Sequence, residues 1–175
     1  MDNMFVIVGN LSEQAEYERL LAILLQGYCV TKRWQASSAH KFVLCCYYKK
    51  ESVENSIAII GSNNGQNTFA EGGNTPLNVI AVTRIDNKEA LLQDLNVDKS
   101  SILGDADFLQ ACYLYFGADF CKKLDGEFCY ALWDDDHSQL HLSRNTFNTR
   151  SLYYLPLNGA LIVACDAKIL SRHPC

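Results

Sequence analysis

The chain has 175 residues, 49% of them apolar and 20% charged, with a formal net charge of −5. That length sustains a single domain with a substantial core, and the composition excludes a disordered chain. Acidic and basic residues are interspersed without a basic stripe, which argues against a nucleic-acid partner. No apolar run approaches the roughly 20 residues of a membrane-spanning helix.

Residues 4–8, Met-Phe-Val-Ile-Val, read as a buried strand stopped by Gly9-Asn10. Asn10 or Ser12 can cap a helix over residues 13–26. There Tyr17, Leu20, Leu21 and Leu24 recur at i, i+3, i+4 and i+7, and Gly27 is a natural stop. Strands are predicted over residues 28–34 and 41–48, separated by a polar turn at 35–40. A charged loop at 49–55 leads to a short strand at 56–60 and the turn-rich Gly61-Ser-Asn-Asn-Gly65. Another short strand at 68–70 precedes the Gly72-Gly-Asn-Thr-Pro76 turn. Residues 77–82 read as a strand and 87–95 as a short helix. A stronger helix covers 105–116, with Phe108, Leu109, Cys112 and Phe116 on one side and Gly117 ending it.

The densest stretch is Lys123-Leu-Asp-Gly-Glu-Phe-Cys-Tyr-Ala-Leu-Trp-Asp134. Asp125-Gly126 supplies a tight turn, because glycine adopts positive φ without a Cβ clash. Phe128, Tyr130, Leu132 and Asp134 then alternate with Cys129, Ala131 and Trp133. Both sets are largely apolar, which predicts a central strand covered on both faces. Further strands are predicted at 140–144, at 152–155 beyond a turn at 145–150, and at 160–164 after Asn158-Gly159. A helical turn at 167–171 closes the chain. Strands outnumber helices, so the fold class is α+β, a layered sandwich in one domain spanning 1–175.

The eight cysteines stand at 29, 45, 46, 112, 121, 129, 165 and 175. They form no C-x-x-C pair, and none has a histidine at zinc-finger spacing, so reduced thiols are expected and no metal site. The start, Met1-Asp-Asn-Met4, lacks the positive region and apolar run of a secretory signal, and a cytoplasmic location is expected.

Several blocks recur in a known order: Asp105-Ala-Asp107, Tyr113-Leu-Tyr-Phe-Gly117, Leu124-Asp-Gly-Glu-Phe128, Ala131-Leu-Trp-Asp134, Leu142-Ser-Arg-Asn145, Ser151-Leu-Tyr-Tyr154 and Ala164-Cys-Asp-Ala-Lys-Ile-Leu170. Together they resemble the class II glutamine amidotransferase domains found at the front of asparagine synthetases. The resemblance implies the N-terminal-nucleophile hydrolase fold, an αββα four-layer sandwich with two packed antiparallel sheets and outer helices.

It also implies a chemistry. A terminal cysteine attacks the side-chain amide of glutamine, with its own α-amine as base. An asparagine side chain and a backbone N–H beside a glycine stabilise the oxyanion. Laid on this pattern, the nucleophile position is Phe5, the oxyanion asparagine is Val82 and the glycine is Thr83. The arginine that would hold the α-carboxylate of glutamine has no counterpart. Asp105 stands where the amine-binding aspartate would be. Each loss alone is severe, so glutamine hydrolysis by the family route is not expected.

Arg84-Ile-Asp-Asn87 resembles the Arg-Leu-Asp-Asn-Arg form of relatives that have abandoned glutaminase activity. These are the β-lactam synthetases and the macrolactam cyclases of lasso-peptide biosynthesis. In them an inert amidotransferase-like domain precedes an ATP-pyrophosphatase-type domain. Arg84, Asp86 and Asn87 thus join Asp105 as candidate ligand-binding residues. The bland alternative is a turn with a local ion pair, Asn87 capping the helix after it and Asp105 capping the helix from Ala106. Other departures are Asn145 for an aspartate, Ser151 for a proline and Cys165-Asp166 for Ser-Glu. Asn148 still tolerates positive φ, and the loss of an acid at 145 removes an expected partner of Arg144 or Arg150.

The expectation is therefore an amidotransferase-like domain without its reaction, serving an ATP-dependent amide-forming enzyme in structure, docking or substrate binding. The sequence ends at Cys175, where a second domain would begin, and lacks a Ser-Gly-Gly-x-Asp-Ser loop. ATP and Mg are expected only for an associated synthetase domain or subunit. That domain and a peptide substrate are the expected partners, and a homo-oligomer is compatible with the sequence. Two alternatives remain open. One is a stand-alone binding or regulatory protein using Asp105 as a residual amine contact. The other is an amidohydrolase with a nucleophile relocated to Cys45 or Cys46, both mid-strand without a paired histidine.

Overall fold

The computed structural model describes residues 3–9, 14–36, 42–49, 59–61, 77–97, 102, 104–134, 136–146, 151–157 and 160–174. In chain order the elements are β1 (Asn3–Gly9), α1 (Gln14–Leu24), β2 (Tyr28–Ala36), β3 (Phe42–Lys49), β4 (Ile59–Gly61) and β5 (Leu77–Ile85). They continue with α2 (Lys88–Leu95), α3 (Asp105–Phe116), a 3-10 helix (Ala118–Lys123), β6 (Gly126–Asp134), β7 (Gln139–Arg144), β8 (Tyr153–Leu157), β9 (Ala160–Ala164) and α4 (Ala167–Leu170). The chain divides into two compact units, residues 1–58 with 150–175, and residues 59–149.

The first unit is built on an antiparallel sheet of order β2-β3-β1-β9-β8. β1 is its middle strand, with Phe5 opposite Cys45 on one side and Ala164 on the other. Leu21, Leu24 and Leu25 from α1 and its last turn bury against Ile162, Ala164 and Ile169. Gly27 has φ of 84°, the left-handed stop expected after this helix. Beyond α4, Arg172 Nη1 donates to the carbonyls of Leu24 (3.1 Å) and Gln26 (2.8 Å), satisfying oxygens that the end of α1 leaves open. Pro156 lies inside β8, which is tolerated because β8 is an edge strand.

The second unit carries the candidate site. Its sheet has the order β4-β5-β6-β7, all antiparallel. Every residue of β6 from Phe128 to Asp134 is buried, as the double apolar pattern predicts. Phe128, Tyr130 and Leu132 share a core with Leu77, Val79 and Ala81 of β5 and with the inner faces of α2 and α3. Phe120, from the 3-10 helix, stacks on Tyr130 at 5.2 Å between centroids.

Two features of this unit differ from the sequence expectation. β5 runs to Ile85 rather than stopping at 82, because Thr83, Arg84 and Ile85 pair with Phe128, Glu127 and Gly126. A polar Thr-Arg pair hides this extension from a hydrophobic pattern. The 3-10 helix after Gly117 is short and without the helical period. The predicted strand at 68–70, the turn at 72–76, the Asn10 or Ser12 cap and Asn148 lie outside the described residues.

Candidate functional site

Asp105 is the first residue of α3, and Gly104, in extended conformation, is its N-cap. The expectation that Asp105 caps the helix is therefore corrected. One residue into the helix, its side chain reaches back to β5 and α2. Thr83 Oγ1 donates to Asp105 Oδ2 (2.5 Å), and Lys88 Nζ donates to Asp105 Oδ1 (2.6 Å). Thr83 is held by its pairing with Phe128, and Lys88 opens α2. Lys88 Nζ also lies 5.3 Å from the centroid of the Phe108 ring, three residues along α3 from Asp105. The Lys88 and Asp105 side chains are 28% and 20% exposed, so this ion pair sits in partial burial where solvent screens it less than at the surface. One face further along α3, burial pushes the Cys112 thiol up to about 12, with Lys88 opposing. Cys112 stays a thiol and offers no nucleophile.

The Arg84-to-Asn87 segment does something else. Arg84 Nε meets Asp86 Oδ1 at 3.3 Å and its Nη2 meets Glu127 at 3.9 Å, all three side chains being well exposed. Such pairs contribute little. Asn87 holds the N-cap position of α2 but makes no side-chain cap bond, against expectation. Its amide instead clamps the turn before β6. Asn87 Nδ2 donates to the Lys123 carbonyl (2.7 Å), and the Asp125 N–H donates to Asn87 Oδ1 (3.0 Å). Beside it the Asp86 N–H donates to the Asp125 carbonyl (2.8 Å).

Sequence reasoning missed a second polar group. Asp134, 3% exposed, accepts from Tyr113 OH (2.7 Å) and from the His137 backbone N–H (3.1 Å), and lies 2.9 Å from His137 Nδ1. Burial pushes its carboxyl up, yet these hydrogen bonds outweigh it and leave the group below its ordinary value. Burial and the Asp134 charge push the Tyr113 phenol up to about 12. The phenol proton goes to the carboxylate, so His141 Nε2, 3.1 Å away, must donate to the phenol oxygen. Tyr113 and Asp134 both belong to the recurring blocks, but their spacing gives no sign that they touch.

The family profile of the glutamine amidotransferase domain matches residues 54–172, more than half of the chain. The chain belongs to that family. The amidotransferase domain is 27% identical over 118 residues to the glutamine-hydrolysing asparagine synthetase 2 of Bacillus subtilis, covering 67% of this chain and 16% of that protein. It is 36% identical over 64 residues to the amidase chry2 of Gibberella zeae, covering 37% of this chain and 10% of that one. The chain thus spans a small fraction of the length of these relatives. Among solved structures, the glutamine phosphoribosylpyrophosphate amidotransferase of Bacillus subtilis aligns with a TM-score of 0.59 at 13% identity. The alignment covers 97% of this chain and 43% of that one. At that identity the likeness shows the fold, which is of the N-terminal-nucleophile hydrolase kind. It agrees with the α+β class and the two antiparallel sheets seen here.

In the amidotransferase domain, Phe5 lies inside β1, and the strand begins two residues earlier, with Asn3 and Met4 opposite Tyr47 and Cys46. The Val82 backbone faces Cys129 on β6. Cys45 and Cys46 lie within β3, paired on both sides by β1 and β2. Asn145 donates its N–H to the Phe128 carbonyl (3.0 Å) and its Nδ2 to the Gly126 carbonyl (2.5 Å). Its amide is a donor here, which an ionised aspartate cannot be. Asp125 and Asn145 line a cleft of about 390 Å³ that also takes in Cys121, Lys122, Leu124 and Arg144. Among the described residues no group of three His, Cys, Asp or Glu side chains is placed to hold a metal ion, and no helix is long and apolar enough to cross a membrane.

Proposed function

We propose that this domain does not hydrolyse glutamine and instead serves an asparagine-synthetase-like, ATP-dependent amide-forming enzyme, as in a lasso-peptide macrolactam cyclase. Its part is to dock the synthetase module and shape the surface that receives the substrate. Phe5, Val82 and Thr83 at the nucleophile and oxyanion positions support this reading. The observation that carries it is the state of Asp105. Both oxygens of the carboxylate that stands at the amine-binding aspartate position are engaged inside the chain, by Thr83 and Lys88. A free glutamine would have to displace the Lys88 ammonium to reach it.

An enzyme of this kind attacks an activated carboxylate with an amine already present in its substrate. It needs no ammonia, and the nucleophile can be lost without cost to the overall reaction. ATP and Mg belong to the synthetase module in this proposal, not to the residues of this chain.

Ammonia release from glutamine tests the reading. No release above the no-protein background is expected. Release abolished by replacing a single cysteine would overturn it in favour of a relocated nucleophile. Docking is tested by co-purification with a synthetase-type (ATP-pyrophosphatase) protein or domain, and persistent failure to bind counts against that role.

A further inference from the structure

Arg144 ends β7 at the edge of the cleft, on a backbone that is held in place. It pairs with Cys129 of β6, and the N–H of the next residue bonds to the Phe128 carbonyl. The residue is exposed, and among the described residues no carboxylate pairs with it. Arg84, in the same sheet, meets both Asp86 and Glu127. The difference lies in residue 145, where the family pattern carries an aspartate. Asn145 commits its side-chain amide to the Gly126 carbonyl and brings no negative charge to Arg144.

The rest of the cleft suits the same chemistry. Ser143 and Thr146 add hydroxyl donors, and the buried side chains of Leu124 and Phe128 give it an apolar wall. Its volume of about 390 Å³ falls within the roughly 300–1,000 Å³ of small-ligand sites. Two cations, Arg144 and Lys122, line it against one acid, Asp125. Lys122 is already held by Asp119 at 2.8 Å, so the guanidinium carries most of the attraction. A planar guanidinium fork beside hydroxyls matches the oxygens of a carboxylate or a phosphate. We propose that this cleft binds the oxyanion of a small ligand, a phosphate or a carboxylate, with Arg144 as its main contact. The inference makes no use of Asp105 or of the domain's inactivity toward glutamine, so ammonia release from glutamine would overturn the preceding proposal and leave this one standing.

Titration of the ¹⁵N-labelled protein with inorganic phosphate and with acetate tests it, with sodium chloride at matched ionic strength as the control. The Arg144 Nε–Hε signal and the Ser143 and Thr146 amide signals are followed. At least one of the two anions is expected to shift them saturably, and chloride is not. Saturation by phosphate alone assigns the site to phosphate ligands, and saturation by acetate alone to carboxylates. Arg144→Gln should weaken binding at least about tenfold, the loss of a charge-assisted hydrogen bond. Arg144→Lys, which keeps the charge without the fork, should fall between the two. Asp125→Asn should tighten binding about twofold, because it removes the one like charge in the cleft. If Arg144→Gln does not fold, Arg144→Lys and Asp125→Asn decide by their opposite signs. No saturable shift with either anion, an equal shift with chloride, or unchanged affinity in the Arg144 variants overturns the proposal.

Discussion

The carbonyl oxygen of Arg84 packs so closely on the α-carbon of Gly126 that a Cβ at residue 126 would stand 2.1 Å from it. The Asp86 nitrogen and the Ile85 α-carbon would each be 3.0 Å away, and φ at Gly126 is 129°. Both sterics and backbone conformation therefore require glycine. All the close neighbours are backbone, so none can move aside cheaply. Gly126→Ala is expected to cost at least about 2 kcal/mol, the sum of a strained φ and an overpacked contact. Urea unfolding measures it, and a variant within 0.5 kcal/mol of the parent, roughly the spread of neutral surface changes, would show that the β5–β6 junction is looser than described.

Asn87 separates two roles that look alike in sequence. A helix cap tolerates serine, whereas a clamp needs one donor and one acceptor reaching across to residues 123 and 125. Asn87→Ala loses both clamp bonds and should destabilise by about 1–3 kcal/mol. Asn87→Ser is expected to fall nearly as far, because a hydroxyl on a shorter stem cannot bridge Lys123 and Asp125 together. Recovery of parental stability by serine in equilibrium unfolding would return Asn87 to the role of a helix cap.

Thiol chemistry gives a third check. Cys112 is fully buried, and burial holds its pKa near 12, so at pH 8 it carries almost no thiolate. Iodoacetamide on the native protein should leave the Cys112 peptide unmodified in mass spectrometry and modify it fully in urea. Native labelling of Cys112 at the rate of a free thiol would mean that α3 opens at its Lys88 face.

Much of this was legible in the residues, for a physical reason. β6 declares itself because both of its faces are apolar and Asp125-Gly126 marks its start, and α3 follows from the spacing of Phe108, Leu109 and Cys112. The recurring blocks gave the family because they are mostly core and turn, where packing fixes residue type. The contacts of the candidate site were less legible. Lys88 shows no pattern that distinguishes it from a solvated helix lysine, and its partner lies 17 positions away. Thr83 reads as the mere loss of a glycine until its hydroxyl is seen on Asp105. The dual reach of Asn87 is invisible because a cap and a clamp call for the same residue type.

The Tyr113–Asp134 hydrogen bond predicts a stability plateau with two edges. The Asp134 carboxyl sits below its unfolded value of about 3.9, so its stabilising contribution is complete above roughly pH 4 and is lost as pH falls through the lower folded value. The Tyr113 phenol is raised from about 10 in the unfolded chain to about 12. Its contribution is complete below about pH 10 and disappears as pH rises toward 12. Tyr113→Phe keeps the ring against Phe120 and removes only the hydroxyl. At pH 7 it should cost about 1.5–3 kcal/mol, the range for a hydrogen bond to a charged group. That deficit should shrink below pH 4, because a protonated Asp134 no longer gains a charge-assisted bond, and again above pH 10, where the parent loses its own phenol contribution. Urea midpoints of parent and variant from pH 2.5 to 11 measure both edges. A deficit that stays constant from pH 7 down to pH 3 would show that the Tyr113 hydroxyl stabilises independently of the Asp134 charge and that the Asp134 carboxylate draws its stabilisation from the His137 loop.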